Sequence, residues 1–244
     1  MKVIIRKTYE DMSATVADIV LDQVATKPDS ILCFPSGDSP TGMLNILVKR
    51  IKEQKADFSR CKFVGLDEWV GMDRHDPGSC QHYMYEKFFD PAGIRNDQII
   101  FFNSKATDLK AECKRVDDFI LSHKRIDLIV VGTGMNGHLG LNEPGSSFTN
   151  YCHVVDLEDS TKTVAQKYFT NSTVLKQGIT LGLKHITEAK TTIVIAGGEK
   201  KSQIIQKIVE GPVTEQVPGS IMQTLDHGLV IVDEAAGSRL TLTA

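Results

Sequence analysis

The run Ile126-Asp127-Leu128-Ile129-Val130-Val131, passing directly into Gly132-Thr133-Gly134-Met135-Asn136-Gly137-His138-Leu139-Gly140-Leu141-Asn142-Glu143-Pro144-Gly145, decides the fold class. A short, almost wholly apolar run ended by glycine is the pattern of a strand buried on both faces. Open α/β sheets bind ligands in the crevice beyond the carboxyl ends of their strands, where glycines let the backbone approach a small molecule closely. The loop also sets an imidazole, His138, five residues before a carboxylate, Glu143. This density of glycine, His, Asn and Glu points to chemistry and not only to turning.

Outward from this stretch, strand-like runs alternate with helical periods. Strands are expected near the N-terminus (Met1 to Lys7) and at Ile31 to Phe34, Phe63 to Leu66, Ile99 to Phe102, Ile126 to Val131, Ile193 to Ala196 and Leu229 to Val232. Between them Met43, Leu44, Leu47, Val48 and Ile51 recur at helical spacing, as do Leu109, Cys113, Val116, Phe119 and Ile120. Ile204, Ile205, Ile208 and Val209 mark a third amphipathic helix. The alternation predicts an α/β fold, an open, mostly parallel sheet with helices on both faces, in a single domain over residues 1–244. Residues 145–179 form the least regular stretch and read as an active-site lid.

The formal net charge is −3 with basic residues scattered, which argues against a nucleic-acid partner. Five widely spaced cysteines, Cys33, Cys61, Cys80, Cys113 and Cys152, suggest neither a disulfide framework nor a structural zinc site. They read as reduced thiols of a cytoplasmic protein. No apolar run approaches the roughly 18 residues of a membrane span, so no membrane partner is expected. Trp69 reads as core. His75, His82, His123, His185 and His227 receive no role, and the closeness of His82 to Cys80 is only a faint hint of a metal.

The first strand-to-helix turn is Phe34-Pro35-Ser36-Gly37-Asp38-Ser39-Pro40-Thr41-Gly42. Ser39 suits an N-cap and Pro40 the first helical position. Unpaired amides at such a helix start attract phosphate. Neither a Walker loop nor a dinucleotide fingerprint is present. Asp38 opposes the phosphate reading: at an effective dielectric of about 20, a carboxylate about 4 Å from a phosphate charge repels it by roughly 4 kcal/mol. It must turn away or be offset by lysines. Further on, Asp67-Glu68 places two carboxylates at a strand end, where one could serve as a base once desolvated.

Ser36-Gly37-Asp38-Ser39-Pro40, Leu66-Asp67-Glu68-Trp69-Val70-Gly71, Asn136-Gly137-His138 with Asn142-Glu143-Pro144-Gly145, and Gly197-Gly198-Glu199-Lys200 together resemble the aminosugar-phosphate deaminases. This is the glucosamine-6-phosphate deaminase family, related more distantly to the 6-phosphogluconolactonases. The resemblance runs from about Lys2 to Ala236. Asp76-Pro77-Gly78-Ser79-Cys80, Cys152-His153 and Gly178 to Lys184 look most like the galactosamine-6-phosphate isomerase or deaminase branch.

The resemblance implies a Rossmann-like fold and a reaction with no metal or organic cofactor. An aminohexose 6-phosphate is opened, isomerised and hydrolysed to a ketohexose 6-phosphate, here tagatose 6-phosphate, plus ammonia. It implies His138 as the ring-opening residue, Glu143 as the carboxylate that orients it, and Asp67 as the base moving the carbon 2 proton to carbon 1. Ser36, Gly37, Asp38 and Ser39, with Lys167 and Lys200, would hold the phosphate, Lys167 standing where well-studied members have arginine. Asn136 takes the place of an aspartate found in some members, which puts the electrostatic burden on Glu143. His153 falls where allosterically regulated members use arginine. The alternatives are a glucosamine-6-phosphate deaminase yielding fructose 6-phosphate, a 6-phosphogluconolactonase and a non-catalytic sugar-phosphate sensor. Oligomeric state is left open.

Overall fold

The computed structural model describes residues 1–241. Its strands are β1 (Lys2–Arg6), β2 (Ile31–Cys33), β3 (Lys62–Val64), β4 (Asp67–Trp69), β5 (Ile99–Ile100), β6 (Leu128–Gly132), β7 (His153–Asp156), β8 (Gln177–Thr180), β9 (Thr191–Ala196) and β10 (Gly228–Asp233). The helices are α1 (Tyr9–Thr26), α2 (Thr41–Lys52), α3 (Cys80–Met84), α4 (Asp90–Ala92), α5 (Leu109–Ser122), α6 (Asp159–Ala165), α7 (Leu183–Glu188), α8 (Ser202–Glu210) and α9 (Glu234–Gly237). Seven strands form a parallel sheet in the order β1-β10-β9-β6-β2-β3-β5. This is the mostly parallel α/β architecture expected from the alternation of elements.

Both faces of the sheet are covered, and the alternation of side chains along each strand sorts two cores. Cys33, Val64, Ile129, Val131, Val194 and Val232 face α5, α7 and α8, where Val116, Ile120, Ile186, Ile205 and Ile208 are buried. Leu32, Phe63, Leu128, Val130, Ile193 and Ile195 face α1 and α2, against Met12, Val16, Val20, Met43, Leu44 and Leu47. On that side Phe63 meets Phe34, Phe58, Phe88 and Phe89 at centroid distances of 5.9, 6.3, 5.5 and 5.6 Å, mostly tilted or edge-on. The chain leaves β2 for β3 and β5 on one side and returns at β6 on the other. The crevice at that reversal lies between the loops after β2 and β6.

Four expectations are corrected. The run from Phe63 to Leu66 is not one strand: β3 ends at Val64, and the chain turns at Gly65, where a Cβ would lie 2.7 Å from the Phe101 ring. It then enters β4, which belongs to a separate antiparallel sheet, β4-β8-β7. In the run beginning at Ile126 the strand starts at Leu128; before it the Asp127 N–H donates to the Ile31 carbonyl at 2.9 Å, and the Asp127 carboxylate accepts the Ile31 N–H at 2.8 Å and the Lys27 ammonium at 2.6 Å. Residues 145–179 are not irregular throughout; they contain β7, α6 and most of β8, and α6 walls the cavity described below. Ser39 is not the N-cap of α2. Pro40 holds that place without a side-chain hydrogen bond, and the helix begins at Thr41.

Phe63 is the ring on which this aromatic cluster converges, and its side chain is fully buried. Phe63→Ala is expected to destabilise the fold by about 3–5 kcal/mol through lost transfer energy and a residual cavity. A urea titration should show a lower midpoint at unchanged slope; a loss below about 1 kcal/mol would mean that the cluster collapses into the space.

Candidate active site

A cavity of about 1060 Å³ opens at the carboxyl ends of β2, β6 and β9, the crevice side of a parallel sheet. Its walls are the turn after β2, the loop after β6, the Gly197–Lys201 turn after β9, Asp67 and Trp69 from β4, and α6 with Lys167 and Tyr168. The small antiparallel sheet thus supplies one wall of a site otherwise built on the parallel one.

The turn after β2 is wired from behind. Tyr9 Oη donates to the carbonyls of Asp38 and Ser39 at 2.9 and 3.2 Å, while Tyr83 Oη and Thr41 Oγ1 donate to the Gly37 carbonyl at 2.7 and 3.0 Å. With those carbonyls engaged, the amide N–H groups of Gly37, Asp38 and Ser39 donate to no protein group among the described residues. Gly37 adopts φ +113°, a conformation suited to glycine, and a Cβ there would approach Tyr168 Oη to 3.1 Å. The result is a row of free amides just before a helix, an anion cradle. The Asp38 side chain is mostly exposed and pairs with Lys167 at 2.5 Å.

Sequence reasoning assigned Lys200 to the anion. Lys200 stands exposed on the rim, and among the described residues its side chain has no hydrogen-bond or ion-pair partner. The adjacent Lys201 is the partly buried one, its ammonium donating to the Thr133 carbonyl at 2.6 Å. Burial, and then the positive charge of Lys167, hold its pKa below the ordinary lysine value. A desolvated ammonium beside another cation is a strong attractor for a divalent anion. The Gly-Gly-Glu-Lys-Lys run left the two lysines equivalent; only the tight 3-10 turn over Glu199–Lys201 distinguishes them.

The loop after β6 folds back on itself through bridges between Thr133 and Leu139 and between Leu139 and Asn142. Gly134 lies beneath the His138 ring, where a Cβ would fall 2.4 Å from Nε2. His138 Nδ1 lies 3.2 Å from Glu143 Oε2, which also accepts from Asn136 Nδ2 at 2.6 Å. Asn136 Oδ1 in turn accepts the His138 amide at 3.3 Å. Burial alone would raise the Glu143 carboxyl, but the hydrogen bond and charge of His138, with Thr161 and Asn136, hold it below the ordinary range. Glu143 is thus an ionised acceptor that fixes the proton on Nδ1. Among the described residues no protein group engages Nε2. Glu143 is the carboxylate beside the imidazole, and the Asn136 amide helps hold it in place.

Asp67 and Glu68 diverge because successive strand residues point to opposite faces. Glu68 is fully buried and accepts the amides of Trp69, Cys80 and Gln81 at 2.9, 2.9 and 2.8 Å, tying α3 to β4. Asp67 faces the cavity beside Cys80. Burial pushes its carboxyl up to about 6, against the Cys80 thiol and the charge of His138, which lower it. Cys80 and His82 do not converge on a metal: Cys80 adjoins Asp67, whereas His82 Nδ1 contacts the Arg74 carbonyl at 3.0 Å. The side chains of Asp67, Asn136 and His138 and the turn after β2 therefore line one cavity, with Glu143 buried behind the histidine. Lys201, Tyr9, Tyr83 and Thr161 are the contributors that sequence reasoning missed.

Residues 6–231 match the family model of glucosamine-6-phosphate isomerases/6-phosphogluconolactonase. The chain belongs to this family. It is 34% identical over 245 residues, the full length of both chains, to a glucosamine-6-phosphate deaminase of Halalkalibacterium halodurans. It is 36% identical to one from Clostridium botulinum (strain Kyoto / Type A2), covering 99% of this chain and 100% of the relative. Its structure superposes on that of a monomeric glucosamine-6-phosphate deaminase with a TM-score of 0.94, at 33% identity and 98% and 99% coverage. Among the described residues, no helix is long and apolar enough to cross a membrane.

The raised value of Asp67 has a stability consequence. Between its ordinary value of 3.8 and about 6 the folded chain binds a proton that the unfolded chain has lost, so stability falls as pH rises through that window. Asp67→Asn removes the ionisation and should stabilise the fold at pH 7 by on the order of 1–3 kcal/mol, with the gain gone near pH 3. Denaturant midpoints at the two pH values check this. Equal stabilities at pH 7 would mean that the carboxylate is not desolvated.

Proposed function

We propose that this protein is an aminosugar-phosphate isomerase/deaminase that acts on glucosamine 6-phosphate, releasing fructose 6-phosphate and ammonia. The observation that carries this reading is one cavity holding a desolvated carboxylate, a carboxylate-oriented imidazole and an anion cradle flanked by lysines. The galactosamine preference expected from Asp76 to Cys80 and from Gly178 to Lys184 gives way to the gluco substrate, because the relatives cited above are named glucosamine-6-phosphate deaminases. Five free cysteines suit a cytoplasmic setting.

On this reading the phosphate sits on the amides of Gly37, Asp38 and Ser39, with Lys201 and Lys167 beside it and Ser36 at the edge. Lys201 replaces Lys200 as the principal cation. His138, its Nδ1 proton held by Glu143, exchanges a proton with the ring oxygen through Nε2 and opens the sugar. Asp67 takes the carbon 2 proton and returns it at carbon 1. Its elevated value makes it a stronger base than a solvated aspartate, and it must be ionised to act, so kcat/KM should fall as pH drops through about 6. The resulting carbon 2 imine is hydrolysed to the ketose and ammonia. A lactonase needs no carbon-proton base, so a desolvated Asp67 facing the cavity favours the deaminase.

Ammonia release should be measured from glucosamine 6-phosphate and galactosamine 6-phosphate alongside hydrolysis of 6-phosphogluconolactone. Ammonia chiefly from the gluco sugar is expected. Preference for the galacto sugar would restore that branch, lactone hydrolysis alone would overturn the reading, and binding without turnover would leave a sensor. Lys201→Ala is expected to raise KM for the phosphorylated sugar by about 10-fold or more, because charge-assisted contacts are roughly twice as strong as neutral ones. Lys200→Ala should change it little. The reverse order of effects would return the phosphate to Lys200.

A further inference from the structure

Outside the cavity, Asp117 on α5, Cys152 immediately before β7 and His185 on α7 bring a carboxylate oxygen, a thiol sulfur and an imidazole nitrogen within 4.8 Å of one another. Among the described residues this is the only such grouping of three or more metal-ligating side chains. His185 is buried, and its Nε2 donates to Asp117 Oδ1 at 2.6 Å. The Cys152 amide donates to the same oxygen at 3.1 Å, and the Cys152 thiol also hydrogen-bonds the carboxylate. The Tyr151 ring packs on the imidazole at 4.7 Å and restrains its plane.

A carboxylate, a thiolate and an imidazole are the ligand types of zinc. Tetrahedral coordination at about 2.0–2.3 Å sets ligand atoms about 3.3–3.8 Å apart, so shifts of about 1 Å or less convert the hydrogen-bonded cluster into a coordination sphere. Two of the three groups can carry negative charge and would neutralise a divalent ion. Asp117 and Cys152 are only partly buried, and a water molecule would complete a fourth position.

We propose that Asp117, Cys152 and His185 form a binding site for a zinc-like divalent cation, separate from the sugar-phosphate cavity. On binding, the Cys152 thiol gives its proton to solvent and coordinates through Sγ. The neutral imidazole moves its proton from Nε2 to Nδ1 and coordinates through Nε2, so one proton is released per ion. The ion ties α5 and α7 to the first residues of the antiparallel sheet whose far strand, β4, carries Asp67. Its role is to fasten that sheet, and it does not depend on which sugar phosphate the cavity accepts.

The test uses the full chain freed of metal with a chelator. Titration with Co²⁺ is expected to give a thiolate-to-cobalt charge-transfer band with d–d bands of four-coordinate intensity, both abolished by Zn²⁺, which displaces cobalt. Zn²⁺ should raise Tm, as any ligand that binds only the folded state does, with about one proton released per ion. Cys152→Ser keeps a hydroxyl beside Asp117 and should fold; it should lose the charge-transfer band and weaken Zn²⁺ binding at least about 10-fold, while His185→Asn should remove the Tm rise. Circular dichroism of the metal-free variants establishes folding. Absence of a cobalt–thiolate band in the parent chain, or an unchanged band in Cys152→Ser, overturns the site.

Discussion

The pairing of β2 with β6 is the constraint on which the rest of the molecule depends. Leu32 lies opposite Leu128 and Cys33 opposite Ile129, and the register is locked at its start by Asp127, which accepts from both the Ile31 amide and the Lys27 ammonium. Because the strands are parallel, both end on the same edge of the sheet. The turn from Ser36 to Ser39 and the loop from Gly132 to Glu143 therefore emerge side by side, although about a hundred residues separate them. A one-residue slip would exchange the two buried faces and carry the anion cradle away from the histidine.

Three buried carboxylates near this crevice do different work because their partners differ. Glu68 spends its lone pairs on three amides and holds a helix to a strand. Glu143 faces an imidazole and an amide donor and stays ionised, which suits orientation. Burial pushes Asp67 up to about 6 and the enclosed Glu68 up to about 8, but of the two only Asp67 lines the cavity, which suits a base. Asn136 belongs to this balance. Its amide supplies a donor at 2.6 Å from Glu143, where an aspartate would bring a second negative charge into a nearly dry space. The amide preserves the single charge on which the histidine's tautomer depends.

The sheet was legible because strands buried on both faces need long apolar side chains at nearly every position, as in Leu128 to Val131 and Ile193 to Ala196. The loop residues that line the cavity were legible too, since glycines that admit an imidazole leave a visible trace. The antiparallel sheet was not: β4 has three residues, two of them acidic, and β7 is only partly buried, so neither carries a clear apolar alternation. Lys201 was hidden by its neighbour, because a choice between adjacent lysines depends on the rotation of a single 3-10 turn. The Asp117, Cys152 and His185 cluster had no signature either. Its members are 35 and 33 residues apart and meet only after three elements have packed.

The acidic residue in the anion cradle is compatible with phosphate once its partner is considered. Asp38 and Lys167 form an ion pair with side chains 76% and 46% exposed, and such surface pairs are worth about 0–1 kcal/mol. The pair is therefore cheap to open. On the proposed reading, a phosphate on the amides of Gly37 to Ser39 would offer Lys167 a more highly charged acceptor, and the largely exposed Asp38 would turn outward. Doubling the separation of carboxylate and phosphate from about 4 to about 8 Å halves the repulsion to roughly 2 kcal/mol at the same effective dielectric, before salt screens it further. What remains is offset by two lysines, one of them partly buried and therefore screened less. Asp38 holds Lys167 by an ion pair at the cavity wall, and on the proposed reading a bound phosphate would replace it as the partner of that lysine.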